Sequence, residues 1–571
     1  MTNPTQKIEE LNSIPIILEI IKKMQIIPLL DNVCRLHKNW KGMSIGETIA
    51  IWLCYILTQN DHRMCSVEEW VAKKQEILSQ YFKQPISPKH FTDDRLARIL
   101  DFFSDSELWN EFESKLNQSV LRIYDFSSNY ARIDMTTANS GGIVTESGLL
   151  QFGHSKDDPN RPQIKIALSV LDPLGLPLTV SVHPGNTADD PLYVPEMAKV
   201  LQNTPYNHLL FVGDCKMSAL ATRVYAVANE VDYLCPLTEV AHPPTEMIKA
   251  IRSFQNTGCD FTQVKREYYD GDEAFIAEGF EKTVIRLAIH DELEFSWEER
   301  LIYAKSFAYA ESQKVLLESR VNKAQDDILQ MNKRGRGRPV YSSSSEAESK
   351  IQAILGKYSV TGLISCEIQE TVTEKCIRAY GNKPARVEKK TEITVTPTIN
   401  QEAYEAAIQC LGWRVYATNR SDDELSLESV VLAYRDQYII EHAFQRLKGK
   451  CLSLSPIHIQ KDERIDGLVK LLTIPLRILV LIDKTIQDCI AKRGKKLSGL
   501  FRYNPKKEVS RPKAERIIEF FEGIYASFCY VGELSCTLVL GLESKHREIL
   551  ELLNMSEEIF TAFGEIQDTM I

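Results

Sequence analysis

The sequence predicts an α/β protein: a core of strands and helices, interrupted by a β-rich insertion, with an all-helical N-terminal domain before it and a helical C-terminal region after it. Three observations carry this expectation. From Tyr130 the helical spacing of apolar residues gives way to alternation and short apolar runs, which is the pattern of strands. A strongly patterned helix, Tyr434–Lys448, follows only after a stretch far longer than one strand and one helix require. The stretches before residue 129 and after residue 500 read as helices. The implied segments are 1–128 (N-terminal helical), 129–240 (core, first part), 241–410 (insertion), 411–500 (core, second part) and 501–571 (C-terminal helical).

At 571 residues the chain exceeds one ordinary core, and about two to four domains are expected. A hydrophobic content of 44% with 26% charged residues belongs to a globular protein. The net charge of −10 means that any surface for nucleic acid must be local. Thirteen cysteines without a C-x-x-C pair suggest neither a zinc knuckle nor a thioredoxin-like site, and with no secretory leader they fit a reducing cytosol. The apolar runs Ile14–Leu30 and Gly467–Ile482 are broken by Lys22, Lys23, Lys470 and Arg477, so both read as buried or amphipathic helices rather than membrane spans. A cytoplasmic location is expected.

In the N-terminal segment, Ser44-x-x-Glu47 and Ser66-x-x-Glu69 each read as a capping box before an apolar run. Thr92 or Asp93 is placed to cap a helix through Phe103, and another spans Glu107–Tyr124. Successive short helices of this kind suit a helix-turn-helix unit or a small helical bundle, and no recognition helix is named.

The core begins with ARIDMTT (Ala131–Thr137), which carries Asp134 toward its C-terminal end. QIKIALSVLD (Gln163–Asp172) and LPLTVSVHPG (Leu176–Gly185) follow as two strands around the turn Pro173–Gly175, then a helix through Pro195–Leu201. HLLFVGD (His208–Asp214) is a short, continuously apolar run, as in a strand covered on both faces. DYLCPLTEV (Asp232–Val240) reads as the fifth strand. Ligands in open α/β sheets sit beyond the carboxyl ends of the strands, where Asp134 and Asp214 would converge. Two converging carboxylates repel, and a divalent cation such as Mg²⁺ removes that penalty.

YRDQYIIEHAFQRLK (Tyr434–Lys448) brings a third carboxylate. At about 100° per residue, positions seven apart return to nearly the same helix face, so Tyr434, Glu441 and Lys448 line up, while Tyr438, Ile439 and Phe444 supply packing surface. An ordinary amphipathic helix has the same periodicity. Combined with Asp134 and Asp214, Glu441 completes a set able to hold two metal ions for an in-line phosphoryl displacement.

Asp134, the run HSKDDPNRPQIKIALSVLDPLGLPLTVSVHPGNTADD, FVGD and finally Y-x6-E-x6-K together resemble bacterial insertion-sequence transposases of the DDE class, in the subgroup with a Tyr-Arg-Glu-Lys signature. The similarity covers about Arg132–Leu220 and Gly412–Ile482. It implies a ribonuclease-H-like core in which Asp134, Asp214 and Glu441 ligate Mg²⁺ or Mn²⁺, as two ions. Tyr434 and Lys448 would contact the phosphates near the cut. The signature's Arg falls on Gln437, which leaves Arg435 or Arg446 to take its part, and Cys215-Lys216 stands where a Gly or Arg is common. The implied partners are DNA (the element's terminal inverted repeats and the target) and a second copy in a synaptic dimer. The implied location is the bacterial cytoplasm, at the nucleoid.

The insertion reads as strands Phe261–Tyr269, Phe275–Phe280 and Thr283–Ile289, a charged helix from Glu298 to Met331, and strands Gly362–Glu370 and Thr391–Thr398. Similar transposases carry a β-rich insertion here that helps hold the element end. KRGRGRP (Lys333–Pro339) contains Arg336 and Arg338 flanking glycine, which resembles the core of an AT-hook for a narrow minor groove; a basic solvated linker is the other reading. Trp413 suits either stacking on an extruded base, as an aromatic does in some relatives, or a place in the core. From Arg446 to Arg516 Lys and Arg outnumber Asp and Glu by roughly two to one, densest at KRGKK (Lys492–Lys496) and NPKK (Asn504–Lys507). This strip suits phosphate contacts or a solvated helix surface.

The favoured expectation is a metal-dependent transposase that cleaves DNA at element ends and joins the freed 3′ hydroxyl to target DNA. Two rivals are a catalytically inactive DNA-binding protein descended from such an enzyme and a structure-specific nuclease of the same fold.

Overall fold

The computed structural model describes every residue except 1–4, 35–39, 127, 156–157, 207, 269–271, 334, 336–340, 342, 378–383, 385, 532–533 and 568–571. The architecture is mixed α/β, with a large sheet and many helices. Two compact units are distinguished: Met1–Cys235 with Arg286–Trp297 and Ala433–Ile571, and Pro236–Ile285 with Glu298–Leu432. Among the described residues no helix is long and apolar enough to cross a membrane.

Five strands position the site: β1 (Tyr130–Asn139), β2 (Gln163–Leu171), β3 (Leu176–Pro184), β4 (Leu210–Val212) and β5 (Asp232–Pro236). Their spatial order is β3-β2-β1-β4-β5. β2 is antiparallel to both β1 and β3, while β1, β4 and β5 run parallel. β2 is buried along its whole length and β4 is Leu-Phe-Val with all three residues buried, as continuous apolar runs require when both faces are covered. Four helices bear on the site: α1 (Tyr193–Asn203), α2 (Leu427–Arg435), α3 (Tyr438–Lys448) and α4 (Asp462–Arg493). α4 absorbs the apolar run Gly467–Ile482, every residue of which is buried.

Ser44 caps its helix as the sequence suggested: its hydroxyl accepts from the Glu47 amide (3.1 Å) and the Glu47 carboxylate accepts from the Ser44 amide (3.0 Å). Ser66 does not. A 3-10 turn, Met64–Ser66, runs directly into the helix Val67–Ala72, so Ser66 already has helical dihedrals and its side chain caps nothing. The segments at the two ends of the chain also depart from the all-helical expectation. Strand Thr5–Glu10 pairs antiparallel with Tyr525–Val531, which pairs in turn with Leu534–Leu540. The aromatic and β-branched residues of YASFCYV and LSCTLVL favour strand over helix.

Strands Trp413–Thr418, Leu293–Ser306, Glu273–His290 and Thr262–Glu267 lie in that spatial order, the stretch Arg286–Trp297 of the middle two being counted with the first unit. The expected helix from Glu298 begins only at Phe307, because Glu298–Ser306 continues a strand whose residues 299–304 are buried. The two short strands expected over 275–289 are one, Glu273–His290. A long hairpin, Ile364–Ile377 with Arg386–Ile399, packs Ile393 and Val395 against Leu317, Val321 and Ile328 of the helix Phe307–Gln330.

Candidate active site

The parallel register of β1 and β4 pairs Arg132 with Val212. The backbone stays extended through Asp214, so two further residues on each strand set Asp134 level with Asp214. Neighbouring strands lie about 4.8 Å apart and register partners project to the same face, which brings these two half-buried carboxylates side by side. β1 continues to Asn139, so Asp134 sits mid-strand; it is β4 that ends here.

Each carboxylate is held by neutral donors. Asp134 Oδ1 accepts the Met135 amide at 2.7 Å. Asp214 Oδ1 accepts the Lys216 amide at 2.8 Å and the Tyr193 hydroxyl at 2.7 Å. Tyr193, in the first turn of α1, is fully buried; burial, then the charges of Asp214 and Asp134, push its hydroxyl far above the usual phenol range, so it stays a donor. Its ring crowds Gly213: a β-carbon there would lie 2.9 Å from Tyr193 Cε1 and 2.5 Å from Met217 Sδ. The glycine of V-G-D is therefore required by this close approach. Sequence reasoning missed Tyr193, which lies two residues before the predicted helix Pro195–Leu201.

The expected single helix over Tyr434–Lys448 is broken. α2 ends at Arg435 and α3 starts at Tyr438, with tight bonds from Gln437 N to Tyr434 O (3.2 Å) and Ile439 N to Asp436 O (3.0 Å) across the joint. The alignment of Glu441 with Lys448 survives on α3, whereas Tyr434 belongs to the preceding helix and no longer follows the seven-residue spacing. Two anchors fix this pair beside β1. Arg132 Nη2 donates to Ala433 O at 2.7 Å and to Asp172 Oδ2 at 2.5 Å; Lys448 Nζ donates to Thr137 O at 3.1 Å. Ala433 to Lys448 thus runs in the same direction as Arg132 to Thr137. From Lys448 back to Glu441 is about 10 Å of helix, and from Thr137 back to Asp134 about 10 Å of strand. Glu441, exposed on α3, accordingly stands at the level of Asp134.

Other residues fall elsewhere. Arg446 is committed to a buried cluster, 2.7 Å from Asp483 and bidentate to Glu515 at 2.8 and 2.9 Å, and these acids keep its guanidinium charged despite burial. Arg435, half-buried, ends α2. The amide of Gln437 is buried with neither Nε2 nor Oε1 hydrogen-bonded among the described residues. Trp413 is packed in the second unit: its ring lies 5.5 Å from that of Phe261 and 6.0 Å from that of Phe280, and its N–H donates to Gln409 O. With its ring packed and its N–H engaged, it is a core residue there. Arg336 and Arg338, and with them the AT-hook reading, lie outside the described residues.

Among the described residues no three acidic, imidazole or thiol groups are gathered tightly enough to ligate one ion. The donor chemistry nonetheless fits a hard cation: adjacent carboxylates that accept from two amides and a phenol, with a third carboxylate on a helix at the same level.

A model of the transposase DDE domain matches residues 144–474, which contain Asp214 and Glu441 and begin ten residues after Asp134. A second model, a domain of unknown function, matches residues 6–114. No curated protein matches. Among solved structures, the piggyBac transposase synaptic complex with hairpin DNA is similar at 8% identity with a TM-score of 0.37, over 89% of this chain and 79% of that one. The DDE model spans more than half of the sequence, and the chain belongs to the transposase DDE domain family: it is a transposase.

Proposed function

We propose that Asp134, Asp214 and Glu441 are the metal ligands of a ribonuclease-H-like core, and that with Mg²⁺ or Mn²⁺ bound they cut element ends and join them to target DNA. The observation that carries this reading is the register that sets Asp134 level with Asp214 on adjacent parallel strands, with Glu441 on a helix pinned along the first of them. The strand order β3-β2-β1-β4-β5 with β2 reversed supports the fold assignment. When bound, a pair of divalent ions supplies Lewis-acid stabilisation of the oxygens that enter and leave the phosphorus.

The chain's own residues do the positioning. Tyr193 and the Lys216 amide fix one oxygen of Asp214, which sets the direction of the other. Lys448, tied to the Thr137 carbonyl, would keep an ammonium within reach of a scissile phosphate's non-bridging oxygens. Tyr434 and Arg435 at the end of α2 would contact the strand flanking the cut. Gln437, where the signature has Arg, contributes an uncharged amide, so Arg435 is the better source of positive charge there. Both chemical steps are in-line displacements at phosphorus: water attacks first, releasing a 3′ hydroxyl, and that hydroxyl then attacks a target phosphodiester, releasing the target's 3′ oxygen. Two copies acting on paired ends complete the reading.

The test is incubation of the purified chain with supercoiled DNA bearing the flanking element ends and Mg²⁺ or Mn²⁺, beside Glu441→Gln. End-specific cleavage and joining by the unmodified protein alone is the expected result. Equal cutting by both proteins would overturn the role of Glu441; cutting without joining would favour the nuclease.

A further inference from the structure

We infer that the loop between Leu497 and Val509 is a contact for unpaired nucleotides, in which Tyr503 stacks on a base and the surrounding basic side chains hold the backbone. It rests on the reading of the chain as a DNA enzyme and adds a surface that the carboxylate site does not include.

The loop is built rather than merely exposed. Leu497 and Val509 form an isolated antiparallel bridge, with Leu497 N to Val509 O at 3.0 Å and Val509 N to Leu497 O at 2.8 Å, closing the loop at its base. Inside it, Gly499 takes φ +80° and its amide donates to Pro505 O at 2.9 Å, while Asn504 N donates to Phe501 O and Lys507 N to Asn504 O, both at 3.0 Å. Leu497 and Leu500 are buried and anchor the loop. Phe501 lies under Lys507 Nζ at 4.5 Å and beside the Arg516 guanidinium at 5.6 Å.

On this ordered frame Tyr503 stands at 104% relative exposure, more open than any other large hydrophobic or aromatic residue among those described. A phenol ring left wholly in water forgoes the burial that aromatic residues ordinarily gain. Between Lys492 and Lys513 there are nine Lys and Arg and one acid, Glu508, in a chain whose net charge is −10. Lys495, Lys496, Arg502, Lys506 and Lys507 are all exposed. A rigid ring flanked by cations matches single-stranded nucleic acid, where every base offers a π-face and every nucleotide a phosphate. Duplex DNA offers the same phosphates but keeps its base faces stacked, so the ring has nothing to cover there.

The experiment measures anisotropy of the full chain, without divalent metal, on labelled single-stranded and duplex oligonucleotides over a salt series. Tyr503→Ala is expected to weaken single-strand binding about tenfold or more and to leave duplex binding within twofold, with Tyr503→Trp restoring it. Lys506→Ala with Lys507→Ala is expected to reduce the single-strand salt slope by about 1.4, at roughly 0.7 per phosphate contact. Equal losses on both DNAs for Tyr503→Ala, or none on either, would overturn the inference, as would an unchanged salt slope in the double variant. The metal-free readout separates this from the active-site reading. Loop variants that bind like the parent while the parent cuts element ends remove only the loop; selective single-strand loss in a chain that cuts nothing removes only the active-site assignment.

Discussion

Two sets of carboxylates lie in the first unit, and the protein treats them in opposite ways. Asp134 and Asp214 stand side by side with neutral donors on each: an amide on one, an amide and a phenol on the other. Glu113, fully buried, has Arg477 at 3.2 Å, and that guanidinium also donates to Thr473 Oγ1, Asn117 Oδ1 and Leu178 O. Nearby, Glu196 accepts from the hydroxyls of Thr179 and Ser181. The interior set includes a cation from the sequence itself, Arg477, whereas for Asp134 and Asp214 the proposed reading has the cation come from outside. Glu113 and Arg477 form a structural pair, and the proposed reading makes Asp134 and Asp214 ligands for a cation that arrives.

The sharpest way to break this contrast is to neutralise one acid of the open pair. Asp214→Asn is expected to abolish DNA cleavage while the melting temperature holds or rises, because a like-charge repulsion is relieved; retained cleavage with lost stability would place Asp214 with the structural set. The opposite signature is expected at Arg477→Met, which strands Glu113 in the core. Urea unfolding should show a loss of about 3–5 kcal/mol, and replacing Glu113 by Leu as well should recover much of it. A smaller effect is expected at Tyr193→Phe. Mn²⁺ binding measured by calorimetry on the folded variant should weaken about 10- to 100-fold, the usual range for a group that orients a metal ligand.

The smallest effect is one of pH. Burial pushes the Glu113 carboxyl up to about 7, ahead of the opposing pull of Arg477, and its Oε2 has no hydrogen-bond partner among the described residues. A carboxyl raised in the folded state binds protons more readily there than in the unfolded chain. Its stabilising contribution is therefore complete below the unfolded value of about 4.3 and is lost as pH rises through about 7. The difference in melting temperature between the parent chain and Glu113→Gln should move against the parent from pH 5 to pH 8. A difference that does not change with pH would show that Glu113 is ionised throughout.

The open pair was more legible in the sequence than the structural one. A short run such as LLFV followed by Gly-Asp announces a buried strand ending in a carboxylate, and the period of α3 sets Glu441 above Lys448, because both patterns are local. The joint at Asp436–Gln437 was not legible: every residue from Tyr434 to Lys448 tolerates a helix, and the break is seen only in the backbone bonds at the joint and in the anchors that hold α2 and α3 along β1. Arg477 appeared only as an interruption of an apolar run, since its partner Glu113 lies far away in sequence. Tyr193 was overlooked for the same reason, its carboxylate being on another element. The strands Tyr525–Val531 and Leu534–Leu540 are a different failure. Their composition favoured strand, and reading the last segment as helical overlooked it.

Those strands bear on how the chain is made. Thr5 is registered against Tyr530, so the backbone amides of this strand find their partners only once the residues between the two have been made. Contacts of such sequence separation close late. Until then an apolar-rich edge is open to pairing with other chains, a hazard that grows with local concentration. Nascent copies crowded on one message, as on a polysome, would be the most exposed to it. The yield of folded enzyme should therefore fall as translation becomes denser, which sets a ceiling on how much protein a strongly expressed gene of this kind delivers.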